Sequence, residues 1–350
     1  MFLTKPVNKL AKSPNIRIIY LDILKIFSAF AVIMIHIFAP ALNFYTNRLS
    51  DLEVAICEII RYFFSWSVPC FVMITGALLL NQEKELSYKK LFTRYIPRII
   101  YALLVFGIPY AWLEILYDEK IFAIEQIGQV FMNILTGNLW DHMWYLYMLI
   151  GLYLILPIIK LFVKMADEKS LSISIVVLFI FNSIVPWFQH RTNIAIGIQF
   201  PISSIYIFYL LCGYLFSKKD IRNIILPLIL IIIPLIIDIL IAFDIIRWLD
   251  YSNDFNYSSP LIVCMSIGFF LLVKQYKKQI PIVENLSRLC FCIYLIHPLF
   301  INIMYKLLRF NPNYYPVGII MPILMITVTS LSLVCSYILY KIHFLRKYVL

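Results

Sequence analysis

Long apolar runs separated by short polar gaps make up most of the chain. A helix needs about 20 mostly apolar residues to cross a bilayer, and ten runs approach or exceed that length. These runs lie at residues 19–42, 54–80, 92–117, 143–163, 170–188, 199–217, 223–243, 258–274, 288–308 and 317–342. The pattern predicts an all-α, polytopic integral membrane protein with about ten transmembrane helices.

The composition supports this fold class and excludes one class of partner. Hydrophobic residues make up 62% of the chain and charged residues 14%, whereas soluble domains have about 25% charged residues. The net charge of +11 lies in the gaps between apolar runs, where positive charge sets topology and meets anionic lipid headgroups. We therefore expect membrane lipid, and no nucleic acid, among the partners.

The distribution of Lys and Arg predicts an orientation. With the N-terminus in the cytoplasm, the cytoplasmic segments and the run ends that flank them hold 21 Lys or Arg, whereas the opposite loops hold one each, five in all. Because positive charge is enriched on the cytoplasmic side, both termini are predicted to be cytoplasmic. Residues 1–18 form a short basic segment, and the run that follows is too long for a signal-peptide core, so it should remain as an anchor. Residues 1–350 show no repeat or linker, which predicts a single domain.

The first apolar run carries three ionisable residues, Asp22, Lys25 and His36. Between Lys25 and His36 a helix turns by about 1100° and rises by about 16 Å, so both lie on one face. Asp22 lies on the same side, one turn below Lys25. Ionisable residues at membrane depth are costly and usually face a bundle interior or a watery cavity. An imidazole there can take and return a proton near neutral pH, although His36 could also be a satisfied core histidine.

Further candidate residues stand at the ends of other runs. Arg94 and Arg98, four positions apart, could clamp phosphates, or Arg94 could be an ordinary flanking charge. His142 and Trp144 open the fourth run, where they could also be interfacial residues of an aromatic belt. His297 lies deep in the ninth run, before a proline that frees a backbone carbonyl.

Two predicted outer loops and the cysteines bear on other functions. The loops 118–142 and 244–257 contain carboxylates and aromatic rings; they are either ordinary solvated loops or a lip around an extracellular substrate such as a sugar. The seven cysteines include no CxxC pair and no His/Cys cluster at zinc spacing, so no metal is predicted. No GxSxG, Walker A, HExxH or Rossmann pattern occurs, which excludes those kinds of soluble-enzyme site.

Five motifs in order resemble acyltransferase family 3, a family of membrane O-acyltransferases, over nearly the whole chain. The matching stretches are Leu21-Asp22-x-x-Lys25 with His36 eleven positions on, Val68-Pro69-x-Phe71-x-x-x-Thr75-Gly76, His142-Met143-Trp144-Tyr145-Leu146, Phe208-Tyr209-x-Leu211-x-Gly213 and Ser287-x6-Tyr294-x-x-His297. The nearest branch is the enterobacterial-common-antigen O-acetyltransferases. Two positions depart from the family pattern, because Lys25 stands where the family usually has Arg and Thr75 replaces the usual Ser.

The resemblance implies a function and roles for these residues. The implied donor is cytoplasmic acetyl-CoA, and the acceptor is a hydroxyl of a surface polysaccharide or lipid-linked oligosaccharide across a bacterial inner membrane. His36 would be the general base or acyl relay, with Asp22 orienting Lys25. Lys25, Arg94 and Arg98 would meet the phosphates of the donor. The residues expected around the substrate are Thr75, His142, Trp144, Tyr294 and His297.

Two rival functions remain open on the sequence alone. An exporter or flippase of a surface glycan on the same scaffold would transport without acyl transfer and would tolerate His36→Gln. A non-catalytic member of a polysaccharide-synthesis complex would tolerate loss of the arginines and histidines. The stripe of Lys25 and His36 favours the enzyme, because a transporter has no obvious need of it.

Overall fold

The computed structural model describes residues 18–82, 86–119, 125–246 and 256–350. The basic segment of residues 1–17 lies outside this part of the chain. Within it the elements are helices, and no strand occurs. In chain order they are α1 Ile19–Phe44, α2 Asp51–Leu79, α3 Tyr88–Tyr117, α4 Glu125–Thr136, α5 Asp141–Met165, α6 Glu168–Thr192, α7 Ile205–Lys218, α8 Ile225–Ala242, α9 Pro260–Lys274, α10 Pro281–Leu307, α11 Val317–Lys341 and α12 His343–Tyr348.

Helix length and composition confirm the all-α fold with several membrane-length helices. Among the described residues, eight helices are long and apolar enough to cross a membrane: α1, α2, α3, α5, α6, α8, α10 and α11. Two further predicted runs correspond to α7 and α9, which are apolar but only 14 and 15 residues long. The total of ten spans and the side on which the termini lie stay predictions.

Two predicted boundaries are wrong by about two turns. The ninth run was predicted to begin at 288, but α10 begins at Pro281, because proline fits the first turn of a helix, where its missing N–H is not needed. Ser287 is therefore well inside the helix. The sixth run was predicted to begin at 199, but α7 begins only at Ile205, after residues 193–204, which have no regular secondary structure.

The predicted outer loop 118–142 contains an amphipathic helix. Helix α4 occupies Glu125–Thr136 and packs against the end of α3, with Val130 buried between them and Phe131 exposed. It brings a row of amide side chains over the bundle, as described below. Of the other predicted loop, 244–257, residues 247–255 lie outside the described part of the chain.

Helix α1 is one of the two most buried membrane-length helices in the described part of the chain. In its most apolar stretch 67% of the residues are buried, compared with 72% in α2 and 22% in α8. It contacts α2, α9, α10 and α11. This burial is the reason that polar side chains on α1 meet protein instead of lipid, whereas the exposed isoleucines of α8 form part of an apolar outer surface.

Helices α2 and α7 cross in backbone contact at two glycines. A Cβ atom on Gly76 would lie 1.9 Å from the carbonyl oxygen of Leu210, and one on Gly213 would lie 2.0 Å from that of Met73. Small residues at helix crossings let backbones approach closely in membranes. Gly76 and Gly213 therefore admit the backbone of the neighbouring helix.

Contacts between helix ends define two ends of the bundle. At the end where α1 begins, Tyr20 meets Phe270 near the C-terminus of α9, with ring centroids 6.0 Å apart. At the same end, Lys274 Nζ donates a hydrogen bond to the carbonyl oxygen of Phe216, at 2.5 Å. We name this the N-terminal end. At the opposite end, Tyr305 of α10 donates its hydroxyl to the carbonyl oxygen of Ile37, at 2.9 Å.

Candidate active site

Three histidines from three helices meet inside the bundle. The ring centroid of His36 on α1 lies 5.0 Å from that of His297 on α10 and 6.3 Å from that of His142 on α5. The remaining pair, His142 and His297, is 5.7 Å apart. His142 and His297 are buried, with 2% and 0% of their surface exposed, and His36 is half-buried. The structure thus brings the three sequence-predicted histidines into one cluster.

Backbone hydrogen bonds fix the tautomer of two of these rings. His36 Nδ1 lies 2.9 Å from the carbonyl oxygen of Val32, and His297 Nδ1 lies 3.1 Å from that of Ile293. A carbonyl oxygen can only accept, so Nδ1 carries the proton in both rings. In each neutral imidazole the lone pair then lies on Nε2. Nε2 of His36 is therefore available as a base or a nucleophile.

Two tyrosines hold the polypeptide around His142. The Tyr294 hydroxyl donates to the carbonyl oxygen of His142, and the Tyr110 hydroxyl donates to that of Leu295, at 2.8 Å. Their rings lie 5.6 and 5.8 Å from the His142 ring. The backbone carbonyl of Leu295 also serves as a hydrogen-bond partner of the His142 ring, so the Tyr110 hydroxyl and this imidazole meet at one carbonyl group of α10.

A cavity of about 720 Å³ opens above the cluster, at the end away from the start of α1. His36 and His142 line the cavity. His297 does not line it, although the next residue, Pro298, does. Its wall also contains amide side chains and aromatic rings: Asn43, Gln129, Asn133, Asn138, Asn302, Tyr45, Tyr117, Trp140 and Tyr305. Its size is that of a typical small-ligand pocket, and amides with aromatic faces suit the hydroxyls and apolar faces of a sugar.

An acid from α3 organises one wall of this cavity. Glu114 accepts a hydrogen bond from the indole of Trp140, at 2.8 Å, and pairs with Lys306, at 3.3 Å. Tyr110 stacks on Trp140 with ring centroids 4.2 Å apart. Lys306 belongs to the π-helical turn Ile303–Leu307 of α10, and such turns often occur at functional sites. The ion pair therefore joins α3 to α10 beside the histidines.

At the lower part of α1, Asp22 is held by a neighbouring helix. Ser287 of α10 donates its hydroxyl to Asp22 Oδ1, at 2.7 Å, and only 5% of Asp22 is exposed. Lys25 is half-buried one turn further along α1. The expectation that Asp22 orients Lys25 stays a prediction, and the structure adds Ser287 as a partner of the carboxylate.

We expect Ser287→Ala to lower the free energy of unfolding by about 1–3 kcal/mol, because the buried carboxylate of Asp22 loses a donor. Thermal unfolding of the detergent-solubilised protein would measure the loss. Ser174→Ala is the control, since its hydroxyl makes an exposed hydrogen bond within its own helix, to the carbonyl oxygen of Ser170, at 2.9 Å. Equal effects of both substitutions would contradict the role given to Ser287.

The two predicted phosphate-binding arginines do not line the cavity above the histidines. Arg94 falls in the π-helical turn Leu91–Tyr95, and its positive charge acts on the guanidinium of Arg98. Arg98 Nε donates to the carbonyl oxygen of Val349, at 3.1 Å, and thereby fastens the C-terminal residues to α3. A role for either arginine with the donor stays a prediction.

Two other predicted residues are not brought to the histidines. Thr75 donates to the carbonyl oxygen of Phe71 in its own helix, at 3.0 Å, and does not line the cavity above the histidines. Trp144 packs among tyrosines, with its ring 5.7 Å from that of Tyr257 and 6.0 Å from that of Tyr206. Their expected roles around the substrate stay predictions.

Sequence reasoning missed Tyr110, Glu114, Tyr305 and Lys306 as site residues. Glu114 carried a usable signal, because a carboxylate inside an apolar run usually marks a functional position. The tyrosines carried none, since aromatic residues are common throughout the apolar runs. Within the described residues, no group of three His, Cys, Asp or Glu could hold a metal ion.

These features define a class of protein: a helical bundle of membrane-length helices with a histidine cluster at the floor of a polar cavity. The family model described as "Acyltransferase domain" matches residues 18–341. The chain therefore belongs to this acyltransferase family, and it is a multi-pass membrane protein. Comparisons with curated proteins and with solved structures found no match.

Proposed function

We propose that the protein transfers an acetyl group from cytoplasmic acetyl-CoA to a glycan hydroxyl on the other side of a bacterial inner membrane. The observation that carries the proposal is the placement of His36 in the wall of the amide-rich and aromatic cavity. Membership of the acyltransferase family supplies the reaction class. A second cavity, of about 690 Å³ and at the N-terminal end of the bundle, supports a donor on one side and an acceptor on the other.

His36 can act in either of two ways. As a general base, Nε2 takes the proton of the acceptor hydroxyl while its oxygen forms a bond to the acyl carbon and the carbon–sulfur bond breaks. As a relay, Nε2 first bonds to the acyl carbon itself, and the acceptor hydroxyl then displaces it. In both cases the donor leaves as a thiolate and receives a proton. His297 and His142, within 7 Å by ring centroids, can share that proton.

The chemical groups of a glycan acceptor fit those that line the cavity above the histidines, named here the upper cavity. Five amides offer both donors and acceptors to hydroxyl groups, and tyrosine and tryptophan rings offer faces for the C–H surface of a sugar. The charge of Lys306 is offset by Glu114 in the same wall. A lipid-linked or polymeric glycan could enter at this open end while its acetylated hydroxyl approaches His36.

The experiment is reconstitution of the purified protein in proteoliposomes with labelled acetyl-CoA, together with mass spectrometry of surface glycans from cells with and without the gene. Transfer of label that depends on the protein supports the proposal. Glycan movement across the membrane without label transfer would favour an exporter. If cells without the gene lose glycan assembly and the His36→Gln variant restores it fully, the result would favour a non-catalytic partner in a polysaccharide-synthesis complex.

We expect Gln129→Ala with Asn133→Ala to raise the KM for the acceptor by about tenfold with little change in kcat, since each lost hydrogen bond is worth about 0.5–1.5 kcal/mol. Both residues lie on α4 and line the cavity. Gln199→Ala is the control, because that amide is exposed and lies outside both cavities. An unchanged KM for the acceptor would show that the acceptor does not bind in this cavity.

A further inference from the structure

A second cavity, of about 690 Å³, lies at the N-terminal end of the bundle. It is formed where the start of α1 meets the segments that follow α7 and α9. Five cationic side chains contribute to its wall: Lys218, Lys219, Arg222, Lys274 and Lys277. Positive residues are common at the cytoplasmic ends of membrane helices, but here two chain segments direct them to one concave surface.

The cations of this basic cavity are only partly neutralised. Arg222 pairs with Asp220, at 2.9 Å, and Lys277 lies 3.8 Å from the same carboxylate. Lys219 pairs with Glu168, at 2.8 Å. Two carboxylates therefore face five cations. The hydrogen bond from Arg222, with the nearby positive charges, holds the pKa of Asp220 below its usual value, as expected in a field of excess positive charge.

Part of the basic cavity is built rigidly. Lys274 Nζ donates to the carbonyl oxygens of Phe216 and Lys219, so it fastens the end of α7 to the end of α9. Arg222 and Lys277 are different, since their side chains are 85% and 76% exposed. They can turn from Asp220 to an incoming anion. Lys274 thus fixes the shape of the basic cavity. The side chains of Arg222 and Lys277 can reorient toward a bound anion.

The remaining wall suits a planar base. Tyr20, Tyr276 and Ile221 add aromatic and aliphatic surface, and Gln275 and Gln279 add amides. A cavity with several cations, a hydrophobic wall and a few amides fits a nucleotide with more than one phosphate. A phospholipid headgroup has phosphate but no base, so it would leave the amides and the aromatic wall unused.

The basic cavity lies beside the start of the helix that carries His36. Tyr20, in its wall, and His36 are 16 positions apart on α1, which corresponds to a rise of about 24 Å and a turn of about 1600°, so the two side chains leave nearly opposite faces of the helix. Lys25, half-buried on α1, lies on the His36 face at an intermediate height. The pyrophosphate and the extended pantetheine arm of an acyl-CoA together cover most of this rise, so the thioester would pass around α1 toward the histidine cluster while the nucleotide stays at the N-terminal end.

We propose that this basic cavity, and not the Arg94 and Arg98 pair, binds the phosphorylated nucleotide of the acyl-CoA donor. The inference rests on the proposed function, because it assigns a position to the donor of that reaction. The shared chemistry of the candidate ligands is phosphate, and the experiment separates a nucleotide from an anionic lipid.

The test measures binding of CoA and of 3′-phosphoadenosine 5′-phosphate to the full-length protein in phosphatidylcholine nanodiscs. Arg222→Gln with Lys277→Gln should weaken both by about tenfold or more, because two charge-assisted contacts are lost. Lys164→Gln with Lys169→Gln removes the same charge at exposed positions outside the cavity and should change binding little. Thermal unfolding of all variants checks that each is folded.

A substitution that is expected to strengthen nucleotide binding controls for misfolding. Asp220→Asn removes the carboxylate that holds Arg222 and Lys277, so it should tighten nucleotide binding several-fold. A damaged protein would not bind more tightly. Weaker or unchanged binding by this variant would overturn the inference.

The outcomes separate this inference from the proposed function. If the wild type transfers acetyl groups and the Arg222 and Lys277 variant binds CoA normally, the cavity is not the donor site although the function stands. If 3′-phosphoadenosine 5′-phosphate binds but no transfer occurs, the cavity stands and the proposed function fails. If substitutions alter only the association of phosphatidylglycerol in mixed nanodiscs, the cavity is a lipid site and the inference is wrong.

Discussion

His36→Ala is expected to lower acyl transfer by about 10²–10⁴-fold, the usual contribution of a positioned proton-transfer group. The hydrogen bond from Nδ1 to the carbonyl oxygen of Val32 directs Nε2 of this ring away from its own helix turn. His36 also lines the cavity above the histidines. Initial rates with labelled acetyl-CoA in proteoliposomes would measure the effect. The loss should be in kcat, since the histidine acts on the reacting atoms.

Two control variants make the result specific. His343→Ala removes an exposed imidazole outside the cluster and should leave transfer unchanged. His297→Ala should reduce transfer less than His36→Ala does, because the His297 ring packs against that of His36 but does not line the cavity. Retention of full activity by His36→Ala would rule out both the base and the relay mechanism.

The polar residues of the site were easier to predict than their arrangement. His36, His142 and His297 stood out because ionisable residues in apolar runs are rare and costly. Their meeting within 7 Å could not be derived from helical periodicity, which relates positions on one helix only. It depends on the relative heights of α1, α5 and α10, and those are set by packing across the whole bundle.

Ser287 illustrates how a small boundary error hides a contact. A helix that began at residue 288 would leave Ser287 in the preceding gap. Because α10 begins at Pro281, Ser287 lies buried within the helix and its hydroxyl reaches Asp22.

Gly213→Ala is expected to destabilise the protein by about 3 kcal/mol or more, because the added Cβ would overlap a backbone carbonyl and force two helices apart. The new atom would lie 2.0 Å from the oxygen of Met73 and 2.5 Å from its carbonyl carbon. No side-chain rotation can relieve an overlap between main-chain groups. Since α2 and α7 both belong to the main core, the loss should appear as a lower midpoint of thermal unfolding and a smaller yield of monodisperse protein.

The control for this variant predicts a change of the opposite sign. Gly151 lies on an exposed face of α5, and a Cβ there meets nothing within 4 Å. In a helix interior alanine is more favourable than glycine by about 0.8–1.0 kcal/mol, so Gly151→Ala should leave stability unchanged or raise it slightly. The same chemical change thus has opposite effects at the two positions, and the difference isolates the helix crossing. Equal stability of the two variants would show that α2 and α7 do not need backbone contact at Gly213.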